Sequence, residues 1–386
     1  MGATMERLLS GEAALALGAL RAKVQVVRGY PGSPGTGVLH RLLTVEEVDA
    51  DWSVNEKVAC EFCWGAAICG RRSLFCTKSL GLNVALDTLT TLNLVGTRAG
   101  FVILTGDDPG AYRSQNEEDS RHFGPLLELP MLEPRSVPES VALIEFAFEL
   151  SERHALPVLV RITRAFAFHQ EETDPVGAPS SQTDMKPVDL DQDRRERRWI
   201  ASTENVIPRR RELHQKLRAV AEELSRLPWV ERSGDRSAPL GLIAGGFMVT
   251  KLRAILSTLE LREPWELLAL SPVYPLPEEP IARFLGGKRR VLILEEGDPI
   301  LEEGVAAIAG RAGLSPQIYG KRTGPFPAEG ELLAEPLAEG LADFFGLPRP
   351  NPERLTAFRE PPLNPNPKSA ARSRRLLSWM SLRPDV

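Results

Sequence analysis

The stretch GYPGSPGTG, residues 29–37, follows the apolar Val24, Val26 and Val27 and precedes a helical pattern resuming near Val38, Leu39 and Leu42. It reads as a buried strand running into a rigid turn that carries Tyr30, Pro31, Ser33, Pro34 and Thr36. Loops leaving the carboxyl ends of parallel strands are where open α/β sheets bind ligands. A small hydroxyl on a rigid turn can touch a ligand closely; the alternative is a stiff strand–helix connection with no ligand. Cys60 and Cys63 form a C-x-x-C pair, so metal chemistry is the second candidate. Cluster-binding cysteines come in sets of four in Gly- or Pro-containing loops. This pair lies instead in NEKVACEFCWGAAICG, a helical pattern in which i and i+3 share a face. With Cys69 closing that helix and Cys76 in the apolar SLFCTKS, the four cysteines read as buried small hydrophobes, with no metal site. IAGGF, residues 243–247, lacks G-x-G-x-x-G and a P-loop lysine, so it is a weak phosphate-binding signal.

The elements that must position these groups alternate at α/β spacing. Strands are expected over Val24–Arg28, Leu74–Thr77, Gly100–Leu104 and Leu156–Ile162, with helices beginning near Gly11, Gly37, Asn55, Asn83 and Pro138. Short connections and continuous apolar strands predict a doubly wound parallel sheet over residues 1–170. Residues 171–236 read as a linker carrying the basic run DRRERRW and one amphipathic helix, PRRRELHQKLRAVAEELSRL. A second, smaller α/β domain is expected over 237–347, and 348–386 is a Pro-rich basic tail.

The 386 residues are 42% hydrophobic and 26% charged, with net charge −5, an ordinary globular balance without a nucleic-acid footprint. No apolar run reaches the roughly 18–20 residues that span a bilayer. Glu6 and Glu12 interrupt the apolar N-terminal stretch, which fits an amphipathic helix better than a signal peptide. Cysteines without a disulfide framework agree with a reducing compartment, and the expected location is the cytoplasm.

Taken in order, LLSGEAALALGAL, GYPGSPGTG, WSVNEKVACEFCWGAA, TKSLGLNVALD, TGDDPGAYRSQNEEDSR, FELSERHALPVLVRITR, ENVIPRRRELHQKL, SPVYPLPEE and LILEEGDPILEE resemble one family. It is the α subunit of indolepyruvate ferredoxin oxidoreductase, among the thiamine-diphosphate-dependent 2-oxoacid:ferredoxin oxidoreductases. The likeness covers roughly residues 8–345. It implies a thiamine pyrimidine-binding domain followed by a transketolase C-terminal-like domain.

The resemblance also implies roles. Glu56 matches the family's catalytic glutamate, which faces N1′ of the aminopyrimidine and favours the imino tautomer that removes the C2 proton. By its position alone Glu56 is also a favourable helix N-terminal acid after Ser53 and Asn55. Tyr30, Pro31, Gly32, Lys78, Ser79 and Asn83 fall where the family meets the cofactor. Ser33 stands in place of a family threonine that approaches the substrate. Arg113 matches the arginine with which pyruvate-type members grip the substrate carboxylate, through two parallel hydrogen bonds; the alternative is a surface pair with Glu117 or Glu118. Asn116 and Asp119 read as loop caps. Lys78–Ser79 departs from the family's Lys-His.

No G-D-G motif and no ferredoxin-like cysteine cluster occurs in the sequence. The expectation is therefore half a thiamine site. A diphosphate-binding partner subunit would supply the magnesium site, and an iron–sulfur or ferredoxin partner the clusters. The implied reaction takes a 2-oxoacid, for instance an arylpyruvate such as indolepyruvate, and coenzyme A to an acyl-CoA, CO2 and reduced ferredoxin. The alternatives are a subunit of a non-oxidative 2-oxoacid decarboxylase and a non-catalytic structural paralogue.

Overall fold

Apolar strands bounded by capped helices set the architecture of the protein, whose computed structural model describes residues 8–173, 189–195, 198–200 and 202–350. The Pro-rich basic tail expected over 348–386 lies outside these beyond residue 350, as do residues 174–188 of the expected linker. The strands in chain order are β1 (Leu8–Ser10), β2 (Val26–Gly29), β3 (Asp49–Trp52), β4 (Ser73–Lys78), β5 (Phe101–Asp107), β6 (Met131–Leu132), β7 (Val158–Thr163) and β8 (Gln170–Glu172). They continue with β9 (Val230–Gly234), β10 (Leu240–Gly245), β11 (Trp265–Leu270), β12 (Pro272–Tyr274), β13 (Arg290–Leu294) and β14 (Gln317–Tyr319).

A seven-stranded sheet has the order β12-β6-β7-β5-β4-β2-β3, and all its pairings are parallel except the edge pair β12–β6. A five-stranded sheet, β14-β13-β10-β11-β9, is parallel except for β9. β1 and β8 form a separate antiparallel pair. Every residue of β2, β5 and β7 is buried, as expected of strands with helices on both faces. The fold is thus α/β with two large, mainly parallel sheets, as expected, and the small β1–β8 pair beside them. β9 falls within the stretch read as a linker, and β12, from the later part of the chain, completes the first sheet.

Helices begin where short polar side chains replace missing backbone partners. Ser10 accepts from the Ala13 amide at 3.2 Å, and Asn55 from Val58 at 2.9 Å. Ser136 caps a helix with proline in its first turn. The helix expected near Asn83 instead spans Ser79–Val95. Gly81 in its first turn looks like a break in the sequence, but Leu82, Ala85, Leu89 and Leu92 are all buried and carry the helix into the core. Cys60, Cys63 and Cys76 are buried as expected; Cys69 is exposed, because it caps the carboxyl end of its helix where the chain turns out through Gly70.

The two sheets are joined by buried charge. Arg161, 1% exposed on β7, donates to Asp107 at 2.8 Å and to both oxygens of Glu133 at 2.9 Å. Arg121 donates to Asp119 at 3.0 Å, to Glu295 at 2.6 Å and to the Asp298 carbonyl at 2.6 Å. Asp119 in turn accepts from the Asp298 amide at 2.8 Å. Glu295 also accepts from the Leu301 and Glu302 amides at 2.7 and 2.8 Å, capping a helix of the second unit. Burial pushes the Asp107 carboxyl up to about 6 against the pull of Arg161. Burial would raise Asp119 likewise, but Arg121 and Arg161 outweigh it and hold that carboxyl below the ordinary range.

Removing one partner of a buried ion pair leaves an uncompensated charge and typically costs about 3–5 kcal/mol. Arg161→Met should lose stability on that order at pH 8. At pH 5.5 the loss should be smaller. Asp107, deprived of the guanidinium, binds its proton in the folded state more tightly than in the unfolded one, so stability falls as pH rises through its folded pKa. Urea titrations of both proteins at the two pH values measure this difference.

Candidate active site

The sequence-predicted residues gather on one edge of the first sheet. They follow the carboxyl ends of four neighbouring parallel strands, β5, β4, β2 and β3. The loop of residues 30–36 follows β2, Glu56 follows β3, Lys78 and Ser79 close β4, and Arg113 lies beyond β5. This is where doubly wound sheets place ligands.

The 30–36 loop is fastened from within. Thr36 donates its hydroxyl to the Gly32 carbonyl at 2.8 Å and accepts from the Gly32 amide at 3.1 Å. Its glycines are demanded by crowding. A Cβ at Gly35 would overlap the Thr77 carbonyl, and one at Gly32 would lie 2.8 Å from Cδ of Lys78. Ser33 is half-buried, while Tyr30 and Pro31 are exposed at the mouth.

Glu56 is the first residue of the helix Glu56–Ile68 and is half-buried. Its carboxylate makes no hydrogen bond or ion pair with any described residue. It lies against the first turn of the next helix: a Cβ at Gly81 would overlap the Thr77 hydroxyl and come within 2.7 Å of Cγ and 2.8 Å of Oε1 of Glu56. A half-buried, unpartnered carboxylate facing a glycine fits a group that offers a ring nitrogen, such as an aminopyrimidine. The donor set thus agrees with the pyrimidine half of thiamine diphosphate.

Lys78 is half-buried and reaches across to the loop after β5, donating to Ser114 Oγ at 3.1 Å. Ser114 donates to Asp108 at 2.9 Å, and Asp108 also accepts from the Arg113 amide at 2.7 Å. Ser79 is buried beneath the site. Arg113 is on an exposed turn. Asn83 is exposed, and its amide donates to both oxygens of Glu118 at 2.8 and 3.1 Å. Glu117 accepts from the amides of Gly110 and Gly330, at 3.1 and 2.8 Å, which holds this loop to the second unit. Asp119 caps the short turn Ser120–His122, as its type suggested, and adds the buried ion pairs described above. Asn116 is exposed.

Sequence reasoning missed Gly81, Thr77, Asp108 and Ser114. Consecutive aspartates at a strand end were a usable signal for Asp108; the others become visible only when β4 and β5 are set side by side. Val54, just before the helix Glu56–Ile68, and Val58 and Phe62, one turn apart on it, are 80%, 40% and 49% exposed, an apolar strip on the surface.

No family model matches the chain. Among curated proteins it is 35% identical over 348 residues to indolepyruvate oxidoreductase subunit IorA of Methanothermobacter thermautotrophicus, covering 88% of this chain and 54% of that protein. The chain is homologous to the IorA subunits. The IorA of Archaeoglobus fulgidus is 33% identical over 368 residues, covering 88% and 54%, and that of Pyrococcus abyssi 31% over 348, covering 89% and 53%. The chain therefore spans about half the length of the IorA relatives it matches. Among solved structures, a 2-oxoglutarate:ferredoxin oxidoreductase from Magnetococcus marinus aligns with TM-score 0.60 at 15% identity, covering 81% of this chain and 61% of that one. A split-gene transketolase aligns with TM-score 0.50 at 14% identity, covering 90% and 94%. These two share the fold, consistent with pyrimidine-binding and transketolase C-terminal-like domains. Among the described residues no helix is long and apolar enough to cross a membrane.

Gly81→Ala should force Glu56 aside and lower stability by about 1–3 kcal/mol, the usual range for overpacking. Gly65→Ala, on the helix Glu56–Ile68 with nothing within 4 Å of the added methyl, should instead stabilise by up to about 1 kcal/mol. Denaturant midpoints of the two variants provide the comparison.

Proposed function

We propose that this chain is the pyrimidine-binding part of a thiamine-diphosphate-dependent 2-oxoacid:ferredoxin oxidoreductase acting on an arylpyruvate such as indolepyruvate. The observation that carries the reading is the unpartnered Glu56 carboxylate at the helix start after β3, on the carboxyl edge of four adjacent parallel strands. The homology to IorA supports it independently.

Thiamine diphosphate supplies, when bound, the nucleophile that adds to a 2-oxoacid and the electron sink for its decarboxylation. The chain's own residues would bind and orient. Glu56 would hold the proton at N1′ of the pyrimidine ring, and Gly81 leaves the room that this contact needs. Tyr30, Pro31 and Gly32 would line the approach to the cofactor, with Lys78, Ser79 and Asn83 on the adjoining helix start. Ser33 and Arg113, on the loops flanking β4, would meet the substrate. A diphosphate-binding unit with its magnesium, and an iron–sulfur or ferredoxin unit, would complete the enzyme, with coenzyme A as acyl acceptor. The exposed apolar Val54, Val58 and Phe62 suit coverage by such a unit. Free cysteines agree with work in the cytoplasm.

Glu56→Gln keeps the shape but cannot stabilise a protonated ring as a carboxylate does. The complex should assemble, while C2 proton exchange of the bound cofactor and turnover of indolepyruvate fall by about 10²–10⁴-fold. Exchange at the parent rate would leave Glu56 as a helix-capping acid and remove the thiamine reading.

A further inference from the structure

Lys78 ends β4, the strand between β2 and β5, so its side chain stands between the two loops that flank the site. Its stem packs on Gly32, where any larger residue would collide with it. Its ammonium donates to one neutral hydroxyl, Ser114 Oγ at 3.1 Å, and forms no ion pair with a described residue. The carboxylate on that path, Asp108, is one hydrogen bond further on: its Oδ2 accepts from Ser114 and from the Arg113 amide, and its buried Oδ1 has no hydrogen-bond partner among the described residues. The result is a half-buried cation, fixed at its stem and tip, with spare donors and no direct ion pair, its one carboxylate neighbour on this path set behind Ser114.

Desolvating an ammonium without a partner is unfavourable, and such an arrangement persists where a ligand supplies the missing charge. The sign of that ligand follows from the chemistry of the site. A thiazolium is itself positive and would be repelled by a bare ammonium, whereas a 2-oxoacid brings a carboxylate. Ser33 follows Gly32, on which the Lys78 stem packs, and Arg113 precedes Ser114 on the opposite loop.

We propose that Lys78 is the cation that receives the carboxylate of the 2-oxoacid, with Ser114 as the positioning residue that holds its ammonium in place. This assignment rests on the 2-oxoacid reading above and moves Lys78 from the cofactor to the substrate. Arg113, exposed on the loop that Ser114 belongs to, closes on the same carboxylate from outside. Ser114 ties Lys78 to Asp108, so the loop after β5, held at both ends by buried ion pairs, sets the position of the cation.

The test uses the chain assembled with its diphosphate-binding partner. Lys78→Met retains the stem on Gly32 and removes the charge. The expected result is a rise in KM for indolepyruvate and phenylpyruvate of about 10- to 100-fold, as for loss of a charge-assisted hydrogen bond, with kcat changed far less. Calorimetric affinity for thiamine diphosphate should stay at the parent value. Ser114→Ala should raise KM in the same direction by a smaller factor, and Ser114→Thr should restore it. Without an electron acceptor, phenylpyruvate should slow acetylation of Lys78 in the parent complex, read by peptide mass spectrometry, and acetate should not. Weakened cofactor binding with unchanged KM would overturn the proposal and return Lys78 to the cofactor. Unchanged KM together with unprotected Lys78 would overturn it as well. A parent complex that turns over no 2-oxoacid would defeat the broader reading, while protection of Lys78 by phenylpyruvate would still be decided by the labelling.

Discussion

Two arginines buried between the sheets govern this structure. Arg161 and Arg121 stand close enough to repel each other, and they are tolerated only because Asp107, Glu133, Asp119 and Glu295 surround them. Charges taken out of water are stable only when every member finds its partners. The partners come from β5, from the segments after β6 and before the helix Phe123–Leu127, and from the end of β13 in the second unit. The units therefore cannot shift against each other without uncovering a charge. Backbone contacts follow the same seam: Glu133 donates its amide to Ser271, and Thr250 donates its hydroxyl to the Arg135 carbonyl. Gly246, at φ +53, is required there because a side chain would overlap Glu133.

The candidate site inherits its rigidity from that seam. Asp107 is the last residue of β5, and Asp119 lies where the following loop returns to the core, so both ends of the loop bearing Arg113 and Ser114 are set by buried ion pairs. Glu117 adds a third tie, to the Gly330 amide of the second unit. The opposite wall, residues 30–36, is held by the close approach of Gly35 to Thr77 and Gly106, at the ends of β4 and β5. Binding groups on loops thus gain the precision usually reserved for strands and helices.

Against this background of satisfied charge, Glu56 and Lys78 stand out. Each is half-buried, each sits at the carboxyl edge of the sheet, and neither forms an ion pair with a described residue. Proteins break the rule of local charge satisfaction chiefly at functional sites. Their separation by the first turn of the helix Ser79–Val95 suits a ligand system with a ring nitrogen at one place and a carboxylate at another.

The sequence by itself determined the α/β class, because apolar runs such as FVILTG and LVRIT alternate with capped helical stretches whatever their neighbours. It determined the candidate loop at 29–37 as well, since Gly and Pro at that density disfavour both helix and strand. It placed Glu56 at a helix start, because Asn55 is a strong cap. The ordered set of motifs sufficed for the family resemblance. It did not determine that the helix after β4 begins at Ser79, because Gly81 reads as a breaker until Glu56 is packed against it. Nor did it reveal the pairing of Arg161 with Asp107, 54 positions apart, or that Lys78 rests on Gly32 and Ser114. Those are consequences of strand order. Only after β4 is inserted between β2 and β5, and β13 is brought up to β7, do residues distant in the chain come within hydrogen-bonding reach. Local propensity carries no information on that order.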